Sequence, residues 1–142
     1  MSESNIEFLF ILFSFIIIFF ITFYINRVTL YEDPLLYKIK NDLIIIDPRI
    51  KFISFYASDQ SFTEDKKRIY LCLKDKFNNY YPYNMLIYVA LHEVAHALSS
   101  TVDLSHTSQD FINNFSNLIK KATELKLYDP NQPMVEHYCK SH

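Results

Sequence analysis

The chain begins with a long apolar segment, and its remainder shows apolar positions at helix or strand spacing. Phe8 to Ile25 is a run of eighteen residues without a charge. At about 1.5 Å per residue it reaches roughly 27 Å, close to the hydrocarbon thickness of a bilayer. We therefore predict a transmembrane helix at residues 8–25, with 1–26 as an N-terminal anchor and 27–142 as a separate domain.

Two other interpretations of the apolar segment fit less well. A cleaved signal peptide starts with basic residues and ends at small ones, whereas Glu3 and Glu7 precede this segment and Asn26-Arg27 follows it. A buried core helix would need protein around seven phenylalanines that point in all directions. The sequence therefore favours an uncleaved single-pass anchor.

The segment after the anchor predicts one helix and two strands. Asp33-Pro34 and Asp47-Pro48 bound a stretch whose apolar residues have helical spacing. Ile50 to Tyr56 is rich in β-branched and aromatic residues, and Arg68 to Lys74 alternates apolar positions with others. The polar stretch from Ser58 to Lys67 is typical of a long hairpin loop between the two strands.

Two further helices are predicted in the second half of the domain. Pro82 suits the first turn of a helix that runs to about Ser100. A second helix starts near Thr107-Ser108 and ends near Leu127. Its apolar face consists of Phe111, Phe115, Leu118, Ile119, Ala122 and Leu125. The predicted class is therefore α+β, a small β-sheet with two long helices behind an N-terminal transmembrane helix.

Charge and composition narrow the classes of protein. No lysine or arginine precedes the apolar segment, whereas Arg27, Lys38 and Lys40 follow it, so the positive-inside bias predicts a cytosolic C-terminal domain and an external N-terminus. The chain contains no glycine, which excludes phosphate-binding and dinucleotide-binding loops and leaves turns to Asn, Asp and Pro. Cys72 and Cys139 lack the paired spacing of a structural zinc site and are compatible with a reducing compartment.

The chemistry is indicated by His92-Glu93-Val94-Ala95-His96, which matches the H-E-x-x-H pattern of zinc peptidases. Histidines four apart on a helix lie on one face, so both imidazoles can bind one Zn²⁺ ion. Glu93 then lies beside the ion, where its carboxylate can take a proton from an attacking water. The apolar run from Met85 to Leu91 predicts that this helix is buried, so the motif's polar side chains need a cleft or a metal.

A catalytic zinc ion usually takes three protein ligands, so His92 and His96 need one more. His106 is the first candidate, because imidazole is a good zinc ligand and the nine intervening residues permit a turn back to the metal. The alternatives are Asp103 in the same turn and Glu124 on the last helix. His137 is a less favoured alternative than these two.

Several of these motifs together resemble small metallopeptidase-like proteins of large DNA viruses, which are similar to the WLM and SprT-like minimal zincins. They are Ser61-Phe62-Thr63, Ile69 to Leu73, Met85 to His96, His106-Thr107 with Phe111, and Tyr138-Cys139. The resemblance implies a small sheet with a peptide-binding edge strand, a helix that carries His92, Glu93 and His96, and His106 as third ligand. Many such sequences have glycine where this chain has Ser105, and a shorter turn.

The function predicted on this basis is a membrane-anchored zinc peptidase with one catalytic ion, located in a virion or host membrane and acting on a protein or peptide substrate. The strand around Ile69 to Leu73 is predicted to pair with the substrate backbone, and Tyr128 or Tyr138 could stabilise the transition state. The alternative is a catalytically silent zinc-binding membrane protein that serves as a structural or interaction module.

Nucleic acid is the less favoured partner. The basic side chains from Lys66 to Lys76 cluster in sequence, but residues 27–142 contain as many acidic as basic residues.

Overall fold

A computed structural model describes residues 3–31, 33–102 and 105–139. Within these ranges the chain has the predicted α+β class and four α-helices, and its sheet has three strands where the sequence predicted two. It divides into two compact units, and the boundary along the sequence lies between Glu32 and Asp33.

The first unit is the apolar helix α1, Glu3–Tyr31. Residues Asn5–Tyr24 have a mean hydropathy of 2.7, and none of the described side chains is buried within the protein. The hydroxyls of Ser14 and Thr22 donate to carbonyl oxygens one turn earlier, which satisfies the only two hydroxyl side chains between Phe8 and Phe23. α1 is therefore long and apolar enough to cross a bilayer.

The second unit opens with helix α2, Pro34–Ile46, as predicted. Asp33 caps it by accepting from the amide of Leu35. Its buried residues are Leu36, Ile39, Leu43 and Ile46, which is the periodic set seen in the sequence.

The first predicted strand is partly wrong. Pro48–Phe52 forms a 3₁₀ turn, and strand β1 covers Ser54–Ser58 instead of starting at Ile50. Asp47 accepts from the amide of Arg49 and pairs with its guanidinium, so the chain begins a tight helical turn where the β-branched residues favoured a strand.

The sheet also differs from the predicted hairpin. The stretch predicted as a loop contains strand β2, Phe62–Glu64, and the next strand is β3, Arg68–Cys72. β3 lies in the centre, parallel to β1 and antiparallel to β2. Because both edges of β3 are already paired, the prediction that this strand binds substrate is wrong. The free edges belong to β1 and β2.

Helices α3, Tyr83–Leu98, and α4, Gln109–Glu124, confirm the two predicted long helices. α3 packs against the sheet, α2 and α4. The largest fully buried side chains come from α2, the 3₁₀ turn, β3 and α3: Ile39, Leu43, Ile50, Ile69, Leu71, Leu86, Ile87, Leu91 and Val94. The core therefore encloses α3, and the histidine motif lies at its C-terminal half.

Turns in this glycine-free chain use unexpected residues. Seven described residues have positive φ: Asp65, Lys66, Asn78, His106, Lys126, His137 and Cys139. The prediction that Asn and Asp would occupy such positions holds for Asp65 and Asn78 only. Lysine, histidine and cysteine take the others.

Candidate metal centre

The two histidines of the motif converge as their spacing predicts. His92 and His96 lie one turn apart on α3, with ring centroids 4.9 Å apart. Their Nε2 atoms are 3.3 Å from each other. Both rings are partly exposed on a helix in which most other residues are buried.

His106 completes a cluster of three imidazoles. Its Nε2 lies 3.2 Å from Nε2 of His92, and the three possible ligand atoms all lie within 4.8 Å of one another. In a tetrahedral zinc site with Zn–N bonds of about 2.05 Å, neighbouring nitrogens are about 3.3 Å apart. The separations of Nε2 of His92 from Nε2 of His96 and of His106 therefore match the edges of a zinc tetrahedron.

The same distances do not suit hydrogen bonding among the rings alone. Nε2 of His92 is close to two other ring nitrogens, but it carries either one proton or one lone pair. Burial, followed by the nearby His96 and His106, lowers the pKa of His92 to about 4. A neutral imidazole presents a lone pair, so this donor set fits a divalent transition metal.

The turn that carries His106 is held by contacts at both of its ends. Asp110 accepts hydrogen bonds from the backbone amide and the hydroxyl of Ser100, at 2.5 and 2.8 Å. Ser108 caps α4 by accepting from the amide of Phe111. His106 itself takes φ of 57°, the left-handed conformation that glycine would adopt more easily. The residue before it, Ser105, therefore does not need to be glycine.

Phe111 supports all three imidazoles. Its ring centroid lies 5.2 Å from that of His92, 4.4 Å from His96 and 5.2 Å from His106. Phe111 is buried at the start of α4, where Phe115 stacks on it. The phenylalanine five positions after His106 therefore orients the imidazole rings, a role that its spacing alone did not indicate.

Glu93 is held by a residue of the sheet. Oγ1 of Thr63 on β2 lies 2.8 Å from Oε2 of Glu93 and 2.9 Å from the carbonyl oxygen of the same residue. Glu93 is only 7 % exposed, and burial raises the pKa of its carboxyl group, partly offset by the Thr63 hydrogen bond. Within the described residues, Oε1 of Glu93 has no hydrogen-bond partner.

The cluster opens into a cleft of about 750 Å³. One wall is β2 with its flanking residues, and the other is the turn that bears His106. The lining residues are Ser61, Phe62, Thr63, Asp65, Lys66, His92, Glu93, His96, Thr101, Val102 and His106. Lys66 donates to the carbonyl of Ser99 and so ties the β2–β3 turn to the end of α3.

The alternative third ligands do not join the cluster. Glu124 is exposed at the last residue of α4, and His137 is exposed near the C-terminus. Asp103 lies outside the described residues. Among the residues that the structure describes, only His106 joins His92 and His96 in a possible metal cluster.

Neither tyrosine considered for transition-state stabilisation lines the cleft. Tyr128 is buried beside Tyr88. Tyr138 donates to the carbonyl of Cys72 at 2.6 Å and lies 2.8 Å from the hydroxyl of Ser61, which accepts from the amide of Cys72. Burial raises the pKa of Tyr138 to about 12. Its proton is thus committed to this closed triangle of hydrogen bonds.

A disulfide joins Cys72 at the end of β3 to Cys139, next to Tyr138. The structure describes no free cysteine. The disulfide and Thr63 were both missed by sequence reasoning. Thr63 lay in a motif of the resemblance, but nothing in a polar loop pattern indicated that its hydroxyl contacts Glu93.

Comparisons with known proteins support a viral origin. The chain is 47 % identical over 92 residues to "Uncharacterized protein 136R" of Invertebrate iridescent virus 6, covering 63 % of this chain and 50 % of that protein. It is 38 % identical over 104 residues to "Uncharacterized protein 042R" of Invertebrate iridescent virus 3, covering 70 % of this chain and 58 % of that protein. No family model and no solved structure matches. The chain thus spans about half the length of the relatives it matches, and both relatives are viral proteins.

Proposed function

We propose that this chain is a membrane-anchored zinc peptidase of the minimal zincin type. The observation that carries the proposal is the convergence of three imidazoles beside the buried carboxylate of Glu93, with Nε2 of His92 at tetrahedral-edge distances from Nε2 of His96 and of His106. A structural zinc site does not require such a carboxylate, whereas amide hydrolysis does.

His92, His96 and His106 would hold the ion, which would supply a Lewis acid that polarises the scissile carbonyl and lowers the pKa of water. Glu93 takes the proton of the attacking water on Oε1, because Oε2 already accepts from Thr63. Glu93 then gives that proton to the amide nitrogen that leaves. Its raised pKa suits the first step, because a carboxylate whose conjugate acid has a higher pKa is a stronger base.

The substrate is an extended peptide that adds to β2. This strand has a free edge, and its residues Phe62 and Thr63 line the cleft above the histidines. A peptide chain at that edge gains backbone hydrogen bonds regardless of its sequence. It also comes to lie beside Glu93, which Thr63 contacts directly.

Nucleic acid remains the less favoured partner. Lys66 donates to a backbone carbonyl, and Arg68 pairs with Glu64 and Asp65 at 3.1 and 2.6 Å. Two members of the basic cluster are therefore engaged within the protein, which lowers the positive charge available to phosphates.

α1 would anchor the domain in a virion or host membrane. The basic residues after it favour a cytosolic domain. The Cys72–Cys139 disulfide favours the opposite side, because cytosolic thiols are kept reduced. We give the disulfide more weight and propose that the domain lies on the non-cytosolic side of the membrane. The two segments that the disulfide joins are also connected by the hydrogen bonds of Tyr138.

The direct test is Glu93→Gln, with Glu124→Gln as matched control because Glu124 is an exposed helical glutamate outside the cleft. Zinc content and cleavage of a mixed peptide pool are measured for the full chain in detergent. We expect zinc in all three proteins and cleavage lost in Glu93→Gln only. Undiminished cleavage by Glu93→Gln contradicts the proposal, and zinc without cleavage in the wild type supports the silent binding module.

A further inference from the structure

A row of three aromatic rings crosses the outer face of the sheet, one ring on each strand. Tyr56 of β1 is the parallel partner of Tyr70 of β3, and Phe62 of β2 is its antiparallel partner. The Tyr56 and Tyr70 centroids are 5.2 Å apart with planes at 26°, and those of Tyr70 and Phe62 are 4.5 Å apart at 13°. The rings therefore stack face to face along the hydrogen-bonding direction of the sheet.

The middle ring of this aromatic row is fixed at its tip. The hydroxyl of Tyr70 donates to Oε2 of Glu64 at 3.2 Å, and Glu64 also pairs with Arg68 at 3.1 Å. Glu64 lies two residues after Phe62 on β2, on the same face of the sheet. The row is thus arranged before any ligand binds.

The row ends at Phe62 with one ring face open. Phe62 stacks on Tyr70 with the face that points toward β3, so its other face points toward the free edge of β2. The side chain is 41 % exposed and lines the cleft. Within the described residues, no second ring stacks on Phe62.

We infer that Phe62 is a specificity residue that selects an aromatic side chain in the bound peptide. This inference rests on the proposed peptidase function. A peptide strand added to β2 lies about 4.8 Å from it, which is also the spacing of stacked rings in this row. The peptide residue that pairs with Phe62 points to the outer face, where an aromatic ring continues the row from three members to four.

The position of this contact fixes where in the substrate the aromatic residue falls. Phe62 immediately precedes Thr63, whose hydroxyl contacts Glu93. Neighbouring strand residues are about 3.4 Å apart along the chain. The selected residue therefore lies within about two residues of the bond that is cleaved.

The test measures binding separately from cleavage. Fluorescein-labelled peptides carry Phe, Leu or Ala at each position in turn, and anisotropy gives Kd for the full-length, zinc-loaded Glu93→Gln protein in detergent. We expect Phe to bind about 3- to 10-fold more tightly than Leu at one position only, as for other aromatic pairs. Phe62→Leu should abolish this difference and Phe62→Tyr should keep it.

Tyr56→Leu is the matched control, because it removes a ring from the opposite end of the row, away from the cleft. It should leave the Phe preference intact. An equal loss in Tyr56→Leu, or a Phe preference that survives in Phe62→Leu, overturns the inference. A dimer formed through β2 that Phe62→Leu dissociates also overturns it, because a second copy would then be the occupant.

The two proposals fail in different ways. If the wild type cleaves peptides without an aromatic preference, the proposal for Phe62 is wrong and the proposed peptidase function stands. If binding depends on Phe62 but the wild type does not cleave, the proposed peptidase function is wrong and the proposal for Phe62 stands.

Discussion

Thr63 Oγ1 lies within hydrogen-bonding distance of both the carboxylate and the backbone carbonyl of Glu93, so one hydroxyl on the sheet fixes the side chain and the main chain of the same helical residue. Through this contact the edge strand determines where the carboxylate stands above the histidines. Thr63 is a positioning residue in the proposed mechanism, since it acts through Glu93.

Replacing Thr63 with Val should lower kcat about tenfold or more and change KM little, because a hydrogen bond to a charged group stabilises by roughly 1.5 to 3 kcal/mol. Val keeps the shape of Thr, so the fold should remain. Thr63→Ser restores the hydroxyl and should recover most of kcat. Equal kcat values for the Val and Ser variants, measured on a cleaved peptide, would contradict this role.

His106→Ala should weaken zinc binding at least about 100-fold, because it removes a direct ligand and even supporting residues around a metal cost 10- to 100-fold. His137→Ala is the control, since His137 is an exposed histidine outside the cluster. Competition with a chromogenic zinc chelator measures both affinities. If His137→Ala loses zinc and His106→Ala retains it, the ligand assignment is wrong.

The metal-free protein should lose stability between about pH 6.5 and pH 4. His92 has its pKa lowered from 6.5 to about 4 in the folded chain, so over this interval the unfolded chain binds the extra proton and acid favours unfolding. Glu93, whose pKa is raised, acts with the opposite sign. The His92→Asn variant lacks the destabilisation caused by protonation of His92 and keeps the contribution of Glu93.

Thermal unfolding in the presence of a chelator checks this prediction. The decrease in Tm on acidification should be smaller for His92→Asn than for the wild type. Parallel pH profiles for the two proteins would show that His92 titrates normally in the folded chain.

Loss of the disulfide should destabilise the domain by about 2 to 4 kcal/mol, the usual range for a native cross-link. The bond joins residues 67 positions apart and restricts the unfolded chain strongly. Denaturant unfolding of a Cys72→Ser/Cys139→Ser double variant measures the loss. Ser61→Ala, which removes one hydrogen bond of the Tyr138 triangle, separates the covalent contribution from the polar one.

Protease protection in sealed microsomes tests the orientation of the chain. We expect residues 33–139 to be protected, because the disulfide requires an oxidising compartment. Complete digestion without detergent, together with alkylation of both cysteines before reduction, would instead support the orientation that the basic residues predict.

The helices and the convergence of the three histidines were predictable from sequence because both depend on local spacing. The period of Leu36, Ile39, Leu43 and Ile46 reports the buried face of α2 directly. His92 and His96 are fixed by one turn of helix, and His106 needed only a turn of ordinary length to return.

The sheet was harder to predict because its pattern is set by distant contacts. β2 has only three residues, and its neighbours are polar, so Phe62–Glu64 is indistinguishable from loop until it pairs with β3. The parallel pairing of β1 with β3 and the Cys72–Cys139 bond likewise join segments whose proximity no local pattern encodes.

The position of Phe111 against all three imidazoles limits the directions from which a ligand can reach them. The buried ring of Phe111, backed by Phe115, forms an apolar surface against the inner side of these imidazoles. In the proposed peptidase, ion, water and peptide would reach the histidines from the cleft beside β2, so a tightly held cleavage product would obstruct the next turnover.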